Sequence, residues 1–213
     1  MSCNICVTLG TWLGAASGFR YHGGVLPNWF LAFPVSAPWI VDLPPLPPRF
    51  RRFDPLDVHL TLLFLGACGE SAATAAFATV RDALVQRPVA PITITLGRVV
   101  PMGPKRQYSA LSALLDQGRG AVVDLMQQLR DAPADAAGIR RDARKPLPHV
   151  TLGRPQRRAT DEDRAAGLAW ADALHLTETP HALDRLALYT WHTERRQALF
   201  RVVDCAPLGT NLL

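Results

Sequence analysis

The pattern of apolar and polar positions predicts short buried strands in the first third of the chain. Residues Trp29 to Val35 form an apolar run, which is typical of a buried strand. The run from Val58 to Leu65 has the same character and ends at Gly66, so it predicts a second strand. The proline-rich stretch from Pro44 to Pro48 lies between the two runs and indicates a stiff connection.

Three segments are predicted to form helices, two from the spacing of their apolar residues and one from its first residues. Ser71 to Gln86 is rich in alanine, has larger apolar residues at helical spacing and is ended by Pro88. Ala121 to Arg130 shows an apolar stripe of the kind that packs against a core. Thr160 to Asp163 resembles a capping box, which predicts a helix that runs through Leu174.

The remaining apolar runs predict two hairpins. Ile92 to Val100 and Tyr108 to Leu115 flank a turn that is rich in proline and glycine. Leu183 to Trp191 and Ala198 to Val203 flank a polar turn. Because several predicted strands follow one another directly, the pattern favours an α+β fold with antiparallel sheets over a doubly wound parallel sheet.

Length, charge and cysteine content narrow the class of protein. The chain has 213 residues, which fits one domain or two small lobes that share a core. Its net charge of +5 is consistent with an anionic partner, although a solvated basic surface has the same signature. Cys3 and Cys6 have zinc or redox spacing, but no second pair follows. We therefore predict no metal site, and the lack of a disulfide framework fits a reducing cytoplasm.

The first 28 residues fit none of these patterns. We interpret residues 1–28 as an N-terminal extension of unknown role and residues 29–213 as a single domain. The mildly apolar stretch from Ile5 to Phe19 is too short to span a bilayer and lacks the basic start of a secretory signal. These features predict a cytoplasmic protein without a membrane partner.

Two distant segments share a pattern that suggests chemistry. His59-Leu-Thr61 and His149-Val-Thr151 each sit in an apolar, strand-like run, and 90 residues separate them. Side chains two residues apart on a strand point to one face, so each segment presents an imidazole and a hydroxyl together. If both segments border one cleft, a neutral histidine can take a proton while a protonated one donates a proton. The threonine hydroxyls can bind the oxygens of a phosphodiester between them.

A single His-x-Thr triplet has little meaning, and the chain contains a third copy, His175-Leu-Thr177. That copy follows a predicted helix and runs into Glu178-Thr-Pro180 rather than an apolar strand, so we interpret it as coincidental. For the first two copies, a purely structural role would bury unpaired polar groups at a cost of kilocalories. A shared polar cleft explains both copies better.

The extended motifs resemble a known family. His59 to Gly66, HLTLLFLG, and Pro148 to Arg154, PHVTLGR, are similar to the paired motifs of the two-histidine phosphoesterase superfamily. They are most similar to its bacterial RNA 2′,3′-cyclic phosphodiesterase branch, also called 2′-5′ RNA ligases. The resemblance extends from about Trp29 to Leu208. It implies a bilobal α+β fold, with two lobes related by an approximate twofold axis and the motifs in the groove between them.

The resemblance also implies an activity and roles for individual residues. It implies metal-independent hydrolysis of an RNA-terminal 2′,3′-cyclic phosphate to a 2′-phosphate, with weak 2′-5′ ligation as the reverse reaction. His149 would activate water and His59 would protonate the departing 3′ oxygen, although pseudosymmetry makes the two roles easy to exchange. Arg154 would contact phosphate and Phe64 would stack on the terminal base. Strict strand alternation places these last two residues on the face opposite the histidines, unless a bulge redirects them.

Several alternatives and expectations accompany this interpretation. The substrate could instead be a small cyclic nucleotide, ADP-ribose cyclic phosphate or a 2′-5′ oligonucleotide, or the chain could be a non-catalytic RNA-binding module. We expect RNA ends or nucleotide cyclic phosphates as partners, no cofactor, and a monomer. A basic neighbourhood around the second motif would attract phosphate, and it consists of Arg140, Arg141, Arg144, Lys145, Arg154, Arg157 and Arg158.

Overall fold

The computed structural model of the chain describes residues 26–104, 106–176, 179–196 and 198–209. Within these ranges the strands are β1 (Trp29–Pro34), β2 (Phe50–Arg52), β3 (His59–Gly66), β4 (Ile92–Ile94), β5 (Leu96–Met102), β6 (Ala110–Leu115), β7 (His149–Pro155), β8 (His181–Leu183), β9 (Arg185–Trp191) and β10 (Phe200–Pro207). The helices are α1 (Glu70–Gln86), α2 (Arg119–Leu129), α3 (Asp131–Ala136) and α4 (Asp161–Ala173), with short 3₁₀ turns at Pro38–Asp42 and Pro55–Asp57.

An eight-stranded sheet forms the centre of the described structure. Its main strand order is β10-β9-β1-β3-β7-β6-β5, β2 pairs with β7 beside this path, and β4 and β8 form a separate two-stranded sheet. Every pairing within the sheets is antiparallel. The predicted α+β class with antiparallel sheets is therefore confirmed, whereas the division into two symmetric lobes stays a prediction.

The two faces of the sheet have different roles. Leu60 of β3 and Val150 of β7 are fully buried in the main core, together with Phe77 of α1 and Ala171 of α4. Helix α1 contacts β1 and β9, whereas α4 contacts β5, β6 and β7. Because side chains alternate along a strand, the residues that flank Leu60 and Val150 point to the opposite face. These flanking residues are the histidines and threonines of the two motifs.

The structure departs from the predicted elements in several places, and the run Leu183 to Trp191, for example, is divided between β8 and β9. Strand β2 was not predicted, because its Arg51 and Arg52 lie beside prolines and resemble a loop. The run that begins at Ile92 is divided at Thr95, whose carbonyl accepts the backbone N–H of Asp116 at 3.0 Å. Helix α3 directly follows α2 and was missed because proline at position 133 is unfavourable inside a helix.

Side-chain hydrogen bonds fix two of the connections between elements. The capping box is confirmed, since the Thr160 hydroxyl accepts the N–H of Asp163 and the Asp163 carboxylate accepts the N–H of Thr160. Arg52 donates to the carbonyls of Ile40, Val41 and Leu43 at 2.8 to 3.1 Å. This arginine therefore fixes the proline-rich connection to the sheet.

Candidate active site

Strands β3 and β7 are neighbours in the sheet, which brings the two motifs together. Leu60 pairs with Val150 in the antiparallel ladder. Continuing this register places His59 opposite Thr151 and Thr61 opposite His149. Directly opposed residues of an antiparallel pair share a face, so all four polar side chains lie on the face opposite Leu60 and Val150.

This arrangement places the two histidines diagonally across the strand pair. Diagonal neighbours of this kind are about 7–8 Å apart at the backbone. That spacing is comparable to the span of one phosphate group that accepts a hydrogen bond from each side. The structure thus brings together His59, Thr61, His149 and Thr151, as the sequence motifs predict.

A bulge after each threonine redirects the next candidate residue. In β3 the register with β1 shifts between Thr61, opposite Ala32, and Leu63, opposite Leu31. Phe64 then lies opposite Phe30, and it shares the face of Thr61 because Phe30 and Ala32 lie two residues apart on β1. Phe64 is 58% exposed, so its ring is free to contact a ligand.

The second bulge has the same effect on Arg154. In β7 the register with β6 shifts between Thr151, opposite Ser112, and Gly153, opposite Leu111. Arg154 therefore lies on the histidine face, with its guanidinium carbon 5.2 Å from the centroid of the Phe53 ring. Phe64 and Arg154 each stand three residues beyond a motif threonine, so they occupy equivalent positions. Strict alternation therefore does not hold for either residue, and a bulge redirects both, which is one of the alternatives that the sequence left open.

Both histidine rings are fixed by the same type of backbone hydrogen bond. His59 donates Nδ1–H to the carbonyl of Asp57 at 2.6 Å. His149 donates Nδ1–H to the carbonyl of Leu147 at 2.7 Å. In both cases the acceptor lies two residues earlier in the chain. Because Nδ1 carries a proton in this arrangement, Nε2 is the nitrogen that can exchange a proton with a substrate.

The surroundings of His59 are strongly apolar. Its ring centroid lies 4.8 Å from that of Phe30, 5.5 Å from those of Tyr189 and Phe200, and 6.4 Å from that of Phe53. The residue retains 9% of its surface exposed. Burial lowers the pKa of His59 from 6.5 to about 4, and the charges of Arg154 and His149 act in the same direction.

Asp57 holds this enclosure in place. Its carboxylate is buried and accepts the backbone N–H groups of Leu199 and Phe200 at 2.8 to 3.0 Å. Burial raises the pKa of the Asp57 carboxyl, while these two hydrogen bonds act to lower it. Asp57 thus binds the ring of His59 through its carbonyl and fixes the strand that carries Phe200 through its side chain. Nothing in the sequence pattern marks Asp57 as part of the site.

A cavity of about 990 Å³ opens beside the second histidine. Thr61, Phe64 and His149 line it, whereas His59, Thr151 and Arg154 lie outside its lining. Its walls combine apolar side chains such as Met102 with a basic segment. The cations of this segment and its surroundings are Arg130, Arg140, Arg141, Arg144 and Lys145.

The basic neighbourhood predicted around the second motif is divided by the structure. Arg141 pairs with Asp131 and Asp135, and Arg144 pairs with Asp142. Arg140 and Lys145 line the cavity and make no ion pair with the described residues. Two of the predicted cations, Arg157 and Arg158, lie beyond the end of β7 and do not line the cavity.

Ser112 of β6 is a further polar residue at the site. It is fully buried, lies opposite Thr151, and its Oγ is 3.1 Å from Thr151 Oγ1. Sequence reasoning missed it, although a serine within the apolar run ALSALL is the kind of interruption that could have indicated it.

The other candidates in the sequence do not join the site. His175 follows α4 and is exposed, and its partner Thr177 lies outside the described residues. Cys3 and Cys6 also lie outside them. Within the described ranges no group of three or more His, Cys, Asp or Glu side chains is placed to hold a metal ion.

The site consists of two His-x-Thr motifs on adjacent antiparallel strands, with their histidines and threonines on one face. This arrangement defines a two-histidine phosphoesterase. The family profile of the 2′-5′ RNA ligase superfamily matches residues 45–195. The chain therefore belongs to this superfamily, which confirms the resemblance seen in the motifs. Its placement in the bacterial cyclic phosphodiesterase branch stays a prediction.

Solved structures share the fold at low sequence identity. TT0787 of Thermus thermophilus is 19% identical with a TM-score of 0.62, and the match covers 85% of this chain and 97% of that one. E. coli LigT, in a complex with 3′-AMP, is 19% identical with a TM-score of 0.61, covering 86% of this chain and 99% of LigT. No curated protein sequence matches the chain. None of the described helices is both long and apolar enough to cross a bilayer.

Proposed function

We propose that the protein hydrolyses the 2′,3′-cyclic phosphate at the end of an RNA to a 2′-phosphate, using His59 and His149 as a general acid–base pair. The observation that carries this proposal is the shared face of the two motifs. That face carries both imidazoles and both threonine hydroxyls, and the register makes the two histidines diagonal neighbours across the strand pair. Membership of the 2′-5′ RNA ligase superfamily supports a phosphodiester of RNA as the substrate.

The reaction requires one proton acceptor and one proton donor. Nε2 of a neutral histidine removes a proton from water as the water oxygen bonds to phosphorus. The bond from phosphorus to the 3′ oxygen then breaks, and the 3′ oxygen takes a proton from Nε2 of the protonated histidine. The 2′ oxygen keeps the phosphate. The same sequence with a 5′ hydroxyl in the place of water, which loses its proton to the acceptor histidine, would join the two ends through a 2′-5′ linkage.

The remaining candidate residues bind the substrate in this proposal. The hydroxyls of Thr61 and Thr151 donate to the non-bridging phosphate oxygens and hold phosphorus in line for attack. Arg154 offsets the charge that develops on those oxygens. Phe64 stacks on the terminal base at the edge of the cavity. LigT, which shares the fold, has been crystallised with 3′-AMP and with phosphate, and these ligands fit a site of this kind.

Burial supports His59 as the proton acceptor in the unliganded site, since a pKa of about 4 keeps its ring neutral at pH 7. The family resemblance implies the reverse assignment. The dependence of kcat/KM on pH separates the two, because this parameter reports the pKa values of the free enzyme. With His59 as acceptor, kcat/KM rises as the pH increases through about 4. A decrease over the same range would assign His59 as the donor.

The decisive experiment measures turnover of a short RNA that ends in a 2′,3′-cyclic phosphate. We expect His59→Ala and His149→Ala each to lower kcat by about 10²- to 10⁴-fold, which is the usual contribution of general acid–base groups. His175→Ala is the matched control, because this histidine belongs to the third motif copy and lies away from the site. Full activity in the double variant of His59 and His149 would contradict the proposal.

The same assay separates the alternatives. A panel that includes a small cyclic nucleotide, ADP-ribose cyclic phosphate and a 2′-5′ oligonucleotide tests the substrate, because the motifs recognise phosphate more than the leaving group. Tight binding of RNA ends without hydrolysis of any member of the panel would instead identify a binding module. Retained activity in the presence of a chelator is the expected result for the histidine mechanism.

A further inference from the structure

Ser112 is a buried hydroxyl in direct contact with the site. It lies on β6 opposite Thr151, has no exposed surface, and places its Oγ 3.1 Å from Thr151 Oγ1. Either oxygen can be the donor in such a pair of hydroxyls. The direction of this hydrogen bond decides whether the Thr151 proton is available to a ligand.

The surroundings of the two hydroxyls favour one direction. Among the described residues, Thr151 Oγ1 is the sole hydrogen-bond partner of Ser112 Oγ. If Thr151 were the donor, the Ser112 proton would be buried without an acceptor, at a cost comparable to a lost hydrogen bond. Thr151 retains 8% of its surface exposed, and if it accepts from Ser112 its own proton is left for another acceptor. Ser112 is therefore the donor and Thr151 the acceptor.

The first motif has no equivalent of this contact. The residue of β1 that lies opposite Thr61 is Ala32, which carries no hydroxyl. Thr61 is thus free to rotate its hydroxyl, whereas the Thr151 hydroxyl accepts one hydrogen bond and has its proton left for a second. A hydroxyl that accepts a hydrogen bond also becomes a better donor.

We propose that Ser112 is a positioning residue that orients the Thr151 hydroxyl, so that its proton points at a non-bridging phosphate oxygen. Phosphate is the ligand class that such a donor recognises, because phosphate oxygens in the substrate only accept hydrogen bonds. This inference rests on the proposed function. It also predicts that the two motif threonines are not equivalent, with Thr151 the better oriented donor.

The test combines Ser112→Ala with Thr151→Ala. We expect Ser112→Ala to lower kcat/KM for the cyclic-phosphate RNA about tenfold, which corresponds to one hydrogen bond. The double variant should be no slower than Thr151→Ala alone, since Ser112 acts through Thr151. Thr79→Ala is the control, because this hydroxyl donates to the carbonyl of Ala76 within α1, outside the cavity lining, and its loss should leave kcat/KM unchanged.

A second readout does not depend on turnover. We expect Ser112→Ala to bind inorganic phosphate several-fold more weakly than the unaltered protein in calorimetry without RNA. If Ser112→Ala does not fold, Ser112→Cys keeps the volume with a weaker donor and should show an intermediate loss.

The outcomes distinguish this inference from the proposed function. Normal kcat/KM and normal phosphate affinity in Ser112→Ala, with Thr151→Ala impaired, would overturn the role of Ser112 and leave the proposed function intact. Independent effects that multiply in the double variant would also overturn it. If the unaltered protein hydrolyses no cyclic phosphate, the proposed function fails, and weaker phosphate binding by Ser112→Ala still supports the positioning role.

Discussion

Two histidines at the site share a backbone geometry and differ in their surroundings. Each donates Nδ1–H to a carbonyl two residues earlier, so each presents Nε2 to the same face of the sheet. Four aromatic rings surround His59, whereas His149 is half-buried and borders the cavity. One repeated triplet therefore supplies two imidazoles that are chemically distinct.

The burial of His59 has a measurable effect on stability. The unfolded chain binds a proton at His59 near pH 6.5, but the folded protein binds it only near pH 4. Between these values the unfolded state carries more protons at this residue, so the contribution of His59 to the free energy of unfolding falls as the pH is lowered and levels off below pH 4. The loss from this residue is about 3 kcal/mol.

Urea unfolding of the unaltered protein and of His59→Gln at several pH values measures this effect. We expect the difference in unfolding free energy between the two proteins to change between pH 6.5 and 4 and to be constant above pH 6.5. His175→Gln is the control and should follow the unaltered protein throughout. A constant difference for His59→Gln across the whole range would show that the ring is not shielded.

Among single residues, the sequence identified those whose type and spacing indicate a site. The pairs His59 with Thr61 and His149 with Thr151 could be found because polar residues two apart interrupt an apolar run. Asp57 and Ser112 could not be assigned in the same way. Their importance depends on a partner from a distant strand, Leu199 for Asp57 and Thr151 for Ser112, and strand neighbours are not specified by local pattern.

In β3 and β7, one extra residue in the strand changes which side chains lie on the histidine face. Each strand has a bulge after its motif threonine, which adds Phe64 or Arg154 to the histidine face. The bulged residues, Leu62 and Leu152, are ordinary buried leucines. The sequence could therefore predict the start of each strand to within one residue. In β3 no glycine or proline marks the point at which alternation changes, whereas in β7 Gly153 adjoins it.

Two glycines within helices differ in the space around them. A Cβ at Gly167 of α4 would overlap the Tyr108 hydroxyl and lie 2.5 Å from the Phe50 ring. The same atom at Gly120 of α2 would meet nothing within 4 Å. Alanine normally stabilises a helix relative to glycine by up to about 1 kcal/mol, whereas overpacking costs about 1–3 kcal/mol.

We therefore expect Gly120→Ala to raise the free energy of unfolding and Gly167→Ala to lower it, with chemical denaturation as the measurement. The two substitutions are chemically identical and both lie within helices, so each controls for the other. Shifts of the same sign would mean that the contact of α4 with Tyr108 and Phe50 yields easily to an added methyl group.

Part of the positive charge of the chain is already paired within the protein. The chain has a net charge of +5, but several of its arginines are paired with aspartates or donate to carbonyls. Arg140 and Lys145 line the cavity without an ion pair among the described residues. Composition predicted an anionic partner in general terms, and the pairing pattern, which depends on tertiary contacts, shows which cations are available.

Salt dependence tests this view of the molecule. Removing both charges with Arg140→Gln and Lys145→Gln should weaken RNA binding and reduce the slope of log K against log salt by about 0.7 for each lost phosphate contact. The double variant Arg157→Gln and Arg158→Gln removes the same charge from positions outside the cavity lining and should leave the slope unchanged. Equal effects of the two double variants would indicate a diffuse attraction instead of a defined path for RNA.

Strands β3 and β7, which carry the two motifs, are joined at a single point in the sheet. Leu60 and Val150 are the single residue pair that links β3 to β7 in the ladder. The two halves of the site are thus held to each other mainly by side-chain packing, and small rotations of one strand against the other alter the gap between the imidazoles. A phosphate bound by both motifs would connect β3 to β7 at this point. Ligand binding should therefore protect the backbone amides of these strands from hydrogen exchange.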